Sequence, residues 1–490
     1  MANARAILAN RWLLPALLAA CIVRLWVMPM GSSFWVDEMA TAFVVHRGAG
    51  DASLGVAPQV AASIYYVLPR AAERIFGFSE WSYRLPSLVA LGAALWFLAR
   101  IARRLLHAEA AWLAVFGCLS FRAFDYQAAD ARPYALGTCV VSAGVWFLIR
   151  WLDSGRWRDA ALFAAAAALV CQVHLAFWPM CLMFALMAGI RLLRGATRAS
   201  RLQALAVFVA VAASLGALLP SALRLLREAG AHVVVAEPAS ATLAGALRLG
   251  SVTAACAAAA ILARWRGWQA ELPPAGSLFM IAAWWLVDPL GLFAFSHLSG
   301  HSVFVPRYLS VALPGAALAM AGAVAVFLPV ATWRPVSLAL GAGVLIFMGS
   351  WTRLWPMHHN SDWRAAARTL RAMPLPAGVP VICPSPFIEA RPPVWRPDYP
   401  THSFLYSHLL VYRVPGTVYP FPFERSPEAE LDAQRLWQST LAPAPAFVLY
   451  GIGPAPLEWR DWFRARAQTA GWRESVLGPF GDVWIVKFER

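Results

Sequence analysis

The sequence predicts a polytopic α-helical membrane protein that ends in a smaller α/β domain. Three observations lead to this fold class. The chain is 490 residues long, 60% hydrophobic and only 14% charged, which excludes a water-soluble globular protein. Apolar runs of about 17 to 25 residues, the length that crosses a bilayer, recur along its first three quarters. After residue 355 the sequence turns to proline, charge and short β-rich stretches.

Eleven apolar runs predict about eleven transmembrane helices. The first run contains Arg24 and has no clear small-residue cleavage site before Trp35, so we interpret it as a retained helix and not as a signal peptide. The runs lie near 11–30, 84–102, 109–125, 132–151, 159–174, 176–193, 203–221, 242–263, 276–296, 307–330 and 336–354.

Arginines in the short loops predict the orientation, because basic residues resist translocation. They cluster in alternate loops, at 100–104, 150–158, 191–201 and 264–266. These loops and the N-terminus are therefore expected in the cytoplasm. The opposite face then receives the loop that carries Asp37 and Glu38, the turns near Asp130 and His174, and everything after residue 355.

The net charge of +15 does not indicate a nucleic-acid partner. The tail from Pro356 holds 14 basic and 12 acidic residues, so nearly all of the excess lies in the membrane part. Positive charge in membrane loops is explained by topology. We therefore expect membrane lipids, and no nucleic acid, as partners.

We predict two domains, a transmembrane module over 1–355 and an extracytoplasmic α/β domain over 356–490. The first external loop, about 31–83, is too long for a simple turn. Between Val60 and Phe76 its apolar residues repeat at helical spacing, with charged residues on the other side. This pattern predicts an interfacial helix that lies in the membrane surface.

The C-terminal domain shows three helical and three strand patterns. Ser361 is the expected N-cap of the first helix. The helical stretches are "SDWRAAARTLRAM", "PEAELDAQRLWQ" and "LEWRDWFRARAQ", and the strand stretches are "VPVIC", "AFVLY" and "DVWIVKF".

An acidic doublet, Asp37 and Glu38, follows the first apolar run in the stretch "GSSFWVDEMATAF". Acids near hydrocarbon are costly and usually functional, although these two could simply cap a helix at the interface. Asp37 is the natural general base for a hydroxyl group. Glu38 could tune Asp37, hold a divalent metal ion or bind the acceptor.

Further polar residues lie at the predicted outer ends of the spans. Arg84 is either functional or an arginine that snorkels to the interface. Asp130, Arg132 and Tyr134, in "FDYQAADARPYALG", form the mouth of a hairpin. They predict the wall of a site, with a simple Asp130–Arg132 pair as the alternative.

The later spans add three more candidates. His174 is either a site residue or a hydrogen-bonded structural histidine. Arg307, followed by Tyr308, begins a span at head-group height, where a guanidinium suits phosphate oxygens, or where it is a generic interfacial arginine. Asp288 lies within a span and requires an arginine partner or a lined cavity.

Together these stretches resemble the GT-C superfamily of membrane glycosyltransferases, in particular the branch of the protein O-mannosyltransferases and the bacterial lipid A aminoarabinose transferase. The resemblance extends over nearly the whole chain, and the motifs are fairly specific in this order and topology. It is carried by "FWVDEMATAF", "GFSEWSYRLPSLVALG", "ADARPYALG", "VHLAFWP", "FVPRYLSVALPG" and "SDWRAAARTL".

The resemblance implies an extracytoplasmic active site at the bacterial inner (plasma) membrane and a polyprenyl-phosphate-linked sugar as donor. It implies Asp37 as catalytic base, with Glu38 as the second acid. Arg307 then lies near the lipid phosphate and His174 at the cavity rim. The candidate set for donor phosphate or substrate is Arg84, Asp130, Arg132, Tyr134, His174, Arg307 and Tyr308.

One stretch departs from the family pattern. Many relatives carry a His-Pro-Pro-Leu-like element after the first acid, where this chain has "APQVAASIYYVLP". This difference leaves the acceptor (glycan, lipid or protein) and any divalent metal ion open. No other cofactor is implied.

The chemistry agrees with a transferase. A polyprenyl phosphate leaves as a stable anion, so the reaction requires positive charge on the phosphate and a base for the incoming hydroxyl group. We therefore expect a single inverting displacement. The main alternative is a transporter or flippase for lipids or lipid-linked sugars, because Asp288 and small interior residues would suit a translocation path. However, we find no repeated halves. A third alternative is an inactive scaffold of the same fold.

Overall fold

A computed structural model describes residues 10–232, 235–453 and 455–490. The extreme N-terminus, predicted to be cytoplasmic, lies outside them. The longer helices, numbered in chain order, are α1 Leu13–Ile22, α2 Val36–Arg47, α3 Val67–Phe76, α4 Glu80–Leu105, α5 Ala110–Leu119, α6 Tyr134–Ser154, α7 Trp157–Val173, α8 Pro179–Leu193, α9 Arg201–Gly216, α10 Leu219–His232, α11 Ser240–Ala246, α12 Leu249–Arg266, α13 Ala275–Ser299, α14 Leu313–Phe327, α15 Trp333–Met348, α16 Trp363–Ala372, α17 Ser407–Val411, α18 Pro427–Leu436 and α19 Ala455–Thr469.

The described chain forms two compact units. The membrane unit consists of residues 10–30, 63–77 and 81–356, and the C-terminal unit of residues 31–62, 78–80 and 357–490. The change after residue 356 coincides with the change in composition. Residues 31–62, which we expected in the transmembrane module, group with the C-terminal residues. The acidic doublet therefore belongs to the C-terminal unit.

The membrane unit is a bundle of apolar helices. Within the described ranges, seven helical segments are long and apolar enough to cross a bilayer, or nine if each bent pair counts as one span. The two bends, of 46° and 58°, separate α9 from α10 and α11 from α12. The remaining predicted runs contain α5 and α7, which are 10 and 17 residues long. The protein is thus multi-pass, and eleven crossings stay a prediction.

Glycines let helices approach closely in the bundle. A Cβ atom on Gly315 of α14 would lie 2.6 Å from the backbone nitrogen of Trp285 in α13. A Cβ atom on Gly137 of α6 would lie 2.1 Å from the Phe177 ring. Both contacts matter for the site described below, because they bring the segments near His174 and Tyr308 against their neighbours.

The C-terminal unit contains a five-stranded mixed sheet in the order β2-β1-β3-β5-β4. β1 is parallel to β2 and β3, while β5 is antiparallel to β3 and β4. The strands are β1 Pro380–Pro384, β2 Thr417–Phe421, β3 Ala446–Ile452, β4 Arg473–Phe480 and β5 Val483–Glu489.

The three predicted strands match β1, β3 and β5, the inner strands of the sheet. The sequence patterns missed β2 and β4, which are its two edges. Each contains a proline, Pro420 in β2 and Pro479 in β4. Proline weakens a strand signal, yet an edge strand tolerates it because its outer N–H groups need no partner.

The helices of this unit follow the predicted patterns, with one correction. Helix α16 buries Trp363, Ala366, Ala367 and Leu370, spaced as one helical face. Its N-cap is Asp362, whose side chain accepts a hydrogen bond from the Ala365 N–H at 3.0 Å. The prediction of Ser361 as N-cap was wrong by one residue, because either residue type can cap a helix.

A histidine and a cysteine share a hydrogen bond in the core of the C-terminal unit. His408 Nε2 lies 3.0 Å from Cys383 Sγ, and both side chains are fully buried. The rings of Trp363 and Tyr450 flank the imidazole at 4.9 and 6.4 Å. Burial lowers the pKa of His408 from 6.5 to about 3, because a charged imidazole cannot be solvated there. The folded protein therefore holds His408 neutral.

This burial predicts that the protein loses stability in mild acid. Below pH 6.5 the unfolded chain protonates His408 while the folded chain does not, so each pH unit costs about 1.4 kcal/mol. Between pH 6.5 and 5 the cost is about 2 kcal/mol. Thermal unfolding of the full chain in detergent should show a falling midpoint over this range.

The variant His408→Asn provides the comparison, since asparagine does not titrate. Its unfolding midpoint should depend less on pH between 6.5 and 5, whatever its absolute stability. An equally steep dependence in this variant would contradict the assignment. Hydrogen bonds from Arg464 and Arg460 lower the pKa of Glu474. Protonation of Glu474 therefore destabilises the fold only at a more acidic pH than this range.

Candidate active site

Three ring side chains from distant parts of the sequence meet in the membrane unit. Tyr134 begins α6, His174 follows α7, and Tyr308 precedes α14. The ring centroids of His174 and Tyr308 are 4.7 Å apart, and Tyr134 lies 5.7 and 6.1 Å from them. We call these three side chains the ring cluster. Three of the predicted substrate-binding residues are therefore neighbours.

Two arginines accompany the ring cluster. Arg132 and Arg307 both lie near enough to act electrostatically on the His174 imidazole. The Arg307 guanidinium carbon is 5.8 Å from the Tyr308 ring centroid, in the range of a cation–π contact. Arg132 is buried, with 9% of its surface exposed. The result is a positively charged, aromatic-lined region within a membrane protein.

Helix α13 holds the segment that carries Arg307 and Tyr308. Trp284 donates its indole N–H to the Val311 carbonyl at 3.0 Å, and Ser296 accepts from the Val303 N–H at 3.1 Å. These bonds fix both ends of a segment that includes the non-helical residues 301–307. Backbone outside a helix is tolerated at membrane depth only where it is buried or lines a cavity, so this segment is a structured part of the site.

His174 also has a structural role. Its Nδ1 accepts the Ala176 N–H at 3.2 Å, so the side chain caps the short helix Leu175–Phe177. A neutral imidazole that accepts at Nδ1 carries its proton on Nε2. The position of His174 beside Tyr134 and Tyr308 is thus compatible both with a structural, hydrogen-bonded histidine and with a residue that contacts substrate.

Arg84 is fully buried in α4 and does not snorkel to the surface. Its Nη1 donates to the Met30 carbonyl at 2.9 Å. One turn further along α4, Ser87 lies 3.3 Å from the Tyr65 hydroxyl and 3.5 Å from the Arg132 carbonyl oxygen. Helix α4 therefore contacts the loop that carries Arg132.

Two acids of the hairpin that precedes α6, Asp125 and Asp130, make different contacts. Asp125 accepts the Trp26 indole N–H at 2.8 Å and so ties the hairpin to the first span. Asp130 is 1% exposed, and its backbone carbonyl accepts the Arg132 N–H at 2.8 Å. That backbone hydrogen bond closes a tight turn that contains both Asp130 and Arg132.

The predicted catalytic acids begin helix α2 in the C-terminal unit. Glu38 is fully buried and accepts the Trp35 N–H at 3.2 Å, so it caps the first turn. Asp37 is only partly buried. Successive residues on a helix point about 100° apart, which explains why the two acids differ in exposure. Glu38 thus has a structural role, and its use with a divalent metal ion stays a prediction.

A network of hydrogen bonds holds the segment that precedes Asp37. Arg364 donates to the Gly31 carbonyl at 3.0 Å, and Ser33 donates to the Ser361 carbonyl at 2.7 Å. The Phe34 N–H donates to the Tyr412 hydroxyl at 2.8 Å. The Trp35 ring stacks on His359 with centroids 5.1 Å apart. These contacts explain why residues 31–62 belong to the C-terminal unit.

Glu80 completes this network. It accepts the Tyr412 hydroxyl at 2.7 Å and pairs with Arg364 at 2.6 Å. The side chains of Glu80 and Arg364 are 18% and 35% exposed, so solvent screens the pair only in part. Tyr412 thus bridges Glu80 to the backbone that leads into Asp37.

The variant Tyr412→Phe should loosen the acidic segment. It leaves the buried Phe34 N–H without an acceptor and costs about 1–3 kcal/mol. Hydrogen exchange of the amides from Phe34 to Phe43 should accelerate. The matched control is Tyr419→Phe, because the Tyr419 hydroxyl group makes no hydrogen bond among the described residues. Unchanged exchange in Tyr412→Phe would contradict a bridging role.

Asp288 has no arginine partner among the described residues. It is fully buried in α13, and neither carboxylate oxygen has a hydrogen-bond partner there. It lies one turn from Trp284 and one turn from Leu292, on the face that packs against the segment of Arg307. Of the two alternatives that the sequence set for Asp288, the described residues do not supply the arginine partner, and the lined cavity stays a prediction.

Sequence patterns missed Tyr65, Ser87, Glu80, Arg364 and Tyr412 as supports of the site. Glu80 and Arg364 lie within quoted stretches, "GFSEWSYRLPSLVALG" and "SDWRAAARTL". No sequence signal pairs them, because the contact joins residues 284 positions apart. Tyr412 has no local pattern at all.

Comparison with known proteins finds one matching family model and two similar solved structures. Residues 64–217 match the family model described as dolichyl-phosphate-mannose-protein mannosyltransferase. No curated protein matches the chain significantly. The structure is similar to that of ArnT from Cupriavidus metallidurans in the apo state, with a TM-score of 0.55 and 12% identity over 96% of this chain and 97% of that chain.

The same ArnT bound to undecaprenyl phosphate gives a TM-score of 0.54 and 12% identity over 98% of both chains. At this identity the likeness concerns the fold. It extends over nearly the full length of both chains, and the family match lies within the membrane-spanning part. The chain is therefore a multi-pass membrane protein with a fold similar to that of ArnT, and residues 64–217 of its membrane part match a mannosyltransferase family model.

Proposed function

We propose that the protein is a glycosyltransferase that moves a sugar from a polyprenyl-phosphate-linked donor to a hydroxyl acceptor on the outer side of the bacterial inner membrane. One observation carries this proposal most: Arg132 and Arg307 lie beside the ring cluster in the membrane unit. Guanidinium groups in a low-dielectric, water-poor site hold phosphate oxygens strongly.

The donor class has further support. The ArnT of similar fold was solved bound to undecaprenyl phosphate. In this chain the aromatic rings provide a surface for the sugar or the first isoprene units, and the arginines supply charge for one phosphate. Arg84 and Asp130 are the remaining members of the proposed binding set.

The proposed reaction is a single displacement. Asp37 removes the proton from the acceptor hydroxyl group, and the hydroxyl oxygen forms a bond to the anomeric carbon. The bond between that carbon and the phosphate oxygen breaks, and its electron pair stays on the polyprenyl phosphate. Arg307 and Arg132 stabilise this charge. Attack opposite to the leaving group inverts the anomeric centre.

The proposed orientation rests on the alternating arginine loops, and in it α3 lies in the outer membrane surface. Val67, Ile75 and Phe76 of α3 are 61%, 72% and 63% exposed, as expected for a helix that lies in the membrane surface. In this orientation both the acidic loop and residues 357–490 are periplasmic, and the C-terminal unit is an extracytoplasmic α/β domain. The proposal keeps eleven spans.

Radiolabelled donor tests the proposal against the transporter alternative. The full chain is reconstituted in vesicles that contain undecaprenyl phosphate linked to labelled sugar, and cell-envelope extract from a deletion strain supplies the acceptor. A transferase moves label into the acceptor and releases undecaprenyl phosphate. A transporter moves labelled lipid between leaflets with the sugar still attached. An inactive scaffold does neither. Movement of intact labelled lipid without transfer, or no change at all, would contradict the proposal.

Mass spectrometry of the same envelope fraction then identifies the sugar. A deletion strain should lack one sugar-bearing component, and the wild-type gene should restore it. Complementation with an Asp37→Asn variant should not.

A further inference from the structure

A groove in the membrane unit lies apart from the ring cluster. It has a volume of about 880 Å³, in the range of ligand pockets. Its walls come from α1, α4 and α5, with Trp146 of α6. We call it the arginine groove, because Arg100, Arg103 and Arg104 of α4 all line it. None of the predicted site residues lines it.

The lining is segregated along α4. Gly92, Leu95, Trp96 and Ala99 form the apolar body, and the three arginines follow within the last six residues of the helix. The apolar part from Gly92 to Ala99 covers about 12 Å of helix length. Trp112 and Leu18 extend the apolar wall on the facing helices. The groove is therefore amphipathic from end to end.

The charges at the polar end are not balanced. Glu109 is the one carboxylate among the lining residues. Arg104 is already paired with Asp153 at 2.8 Å. Arg100 lies over Trp96, with its guanidinium carbon 4.7 Å from the ring centroid, and the described residues give neither Arg100 nor Arg103 a carboxylate partner. Two guanidinium groups thus remain available to an anion.

Helix-end arginines alone would be explained by topology and by the helix dipole. Here the same arginines close one end of a cavity with an apolar body, and that combination matches a lipid with an anionic head group. The chain crosses a bilayer, so such lipids surround the groove. Basic pockets between transmembrane helices on the cytoplasmic side favour anionic lipids.

We propose that the arginine groove binds an anionic phospholipid of the bilayer. Arg100 and Arg103 bind the head-group phosphate, and the apolar body takes an acyl chain along Trp96 and Trp112. In the proposed orientation this lipid belongs to the cytoplasmic leaflet. The site does not depend on the glycosyltransferase proposal, since it uses none of those residues.

Lipid-dependent thermal unfolding of the full chain in detergent tests the proposal. Phosphatidylglycerol and phosphatidylcholine with identical acyl chains are titrated, and native mass spectrometry counts the bound lipids. Wild-type protein should bind phosphatidylglycerol more tightly. The double variant Arg100→Gln/Arg103→Gln should bind it about 30-fold more weakly, from about 1 kcal/mol per arginine. Its binding of phosphatidylcholine, whose phosphate charge is offset by the choline cation, should fall by a clearly smaller factor.

A second variant fills the groove without changing its charge. An added Cβ atom at Gly92 meets no atom within 4 Å, so Gly92→Leu projects into the apolar body. This variant should weaken the binding of both lipids. Gly189→Leu is its control, because Gly189 of α8 is equally unobstructed and lies outside the groove.

The charge control is Arg264→Gln/Arg266→Gln. These arginines end another helix, and Arg266 lies 4.7 Å from the Trp265 ring centroid, as Arg100 does from Trp96. An equal loss in this control would show a general surface effect and overturn the proposal. Unchanged lipid binding in Gly92→Leu, or an equal stabilisation by inorganic phosphate alone, would overturn it too.

Discussion

Replacing Asp37 with asparagine is expected to abolish sugar transfer while the protein still inserts and folds. A positioned general base contributes about 10²–10⁴-fold to a rate, and asparagine cannot take the hydroxyl proton. Transfer of labelled sugar should fall by at least this factor, with an unchanged elution profile and unfolding midpoint. Asp37 is partly exposed, and asparagine keeps its size and one oxygen acceptor, so the fold should survive.

Two variants control this result. Asp398→Asn removes an exposed carboxylate of the same unit and should leave transfer intact. Glu38→Gln removes the neighbouring charge but keeps an oxygen that accepts the Trp35 N–H, the bond that caps α2. Full activity in Asp37→Asn would refute the assignment. Loss in Glu38→Gln with activity retained in Asp37→Asn would move the base to Glu38.

Replacing Arg307 with glutamine should produce the second largest effect. A hydrogen bond to a charged group contributes about 1.5–3 kcal/mol, so the loss of the phosphate contact should raise the KM for the donor or lower kcat/KM by about 10- to 150-fold. Steady-state transfer at varied donor concentration measures this change. The fold should survive, because the side chains of Trp284 and Ser296 hold the backbone of the segment through hydrogen bonds.

The variant Arg307→Lys separates charge from geometry. Lysine keeps the point charge without the planar fork, so a partial recovery is expected. Arg194→Gln, which removes an exposed arginine at the end of α8, should change neither KM nor kcat. If Arg307→Gln left the donor dependence unaltered, Arg307 would not bind the phosphate.

Much of the fold follows from local patterns. Hydrophobic length predicts membrane helices, and the inner strands β1, β3 and β5 are apolar and β-branched enough to be recognised. The edge strands β2 and β4 were missed because proline breaks their pattern. Both are stabilised by pairing with a neighbour that lies far away in the sequence, as in the register of Ile382 with Tyr419.

The candidate site, like the fold, was predicted only in part from the sequence. Chemistry and position in the spans single out Asp37, Arg132, His174 and Arg307 from the sequence, because charged groups near hydrocarbon are costly and rarely accidental. Local reasoning gave Glu38 several roles, and the structure shows that it caps α2. For Asp288 it required an arginine partner or a lined cavity, and the described residues supply no such arginine.

The sequence by itself determined that this protein crosses a membrane many times, which candidate residues lie near the ends of its spans, and where its composition changes. Only the tertiary structure decided that Tyr134, His174 and Tyr308 share one cluster and that residues 31–62 fold with residues 357–490. The physical reason is range. Hydrophobic periodicity acts over one or two helical turns, whereas the hydrogen bonds of Tyr412 and Arg364 join segments more than 280 residues apart.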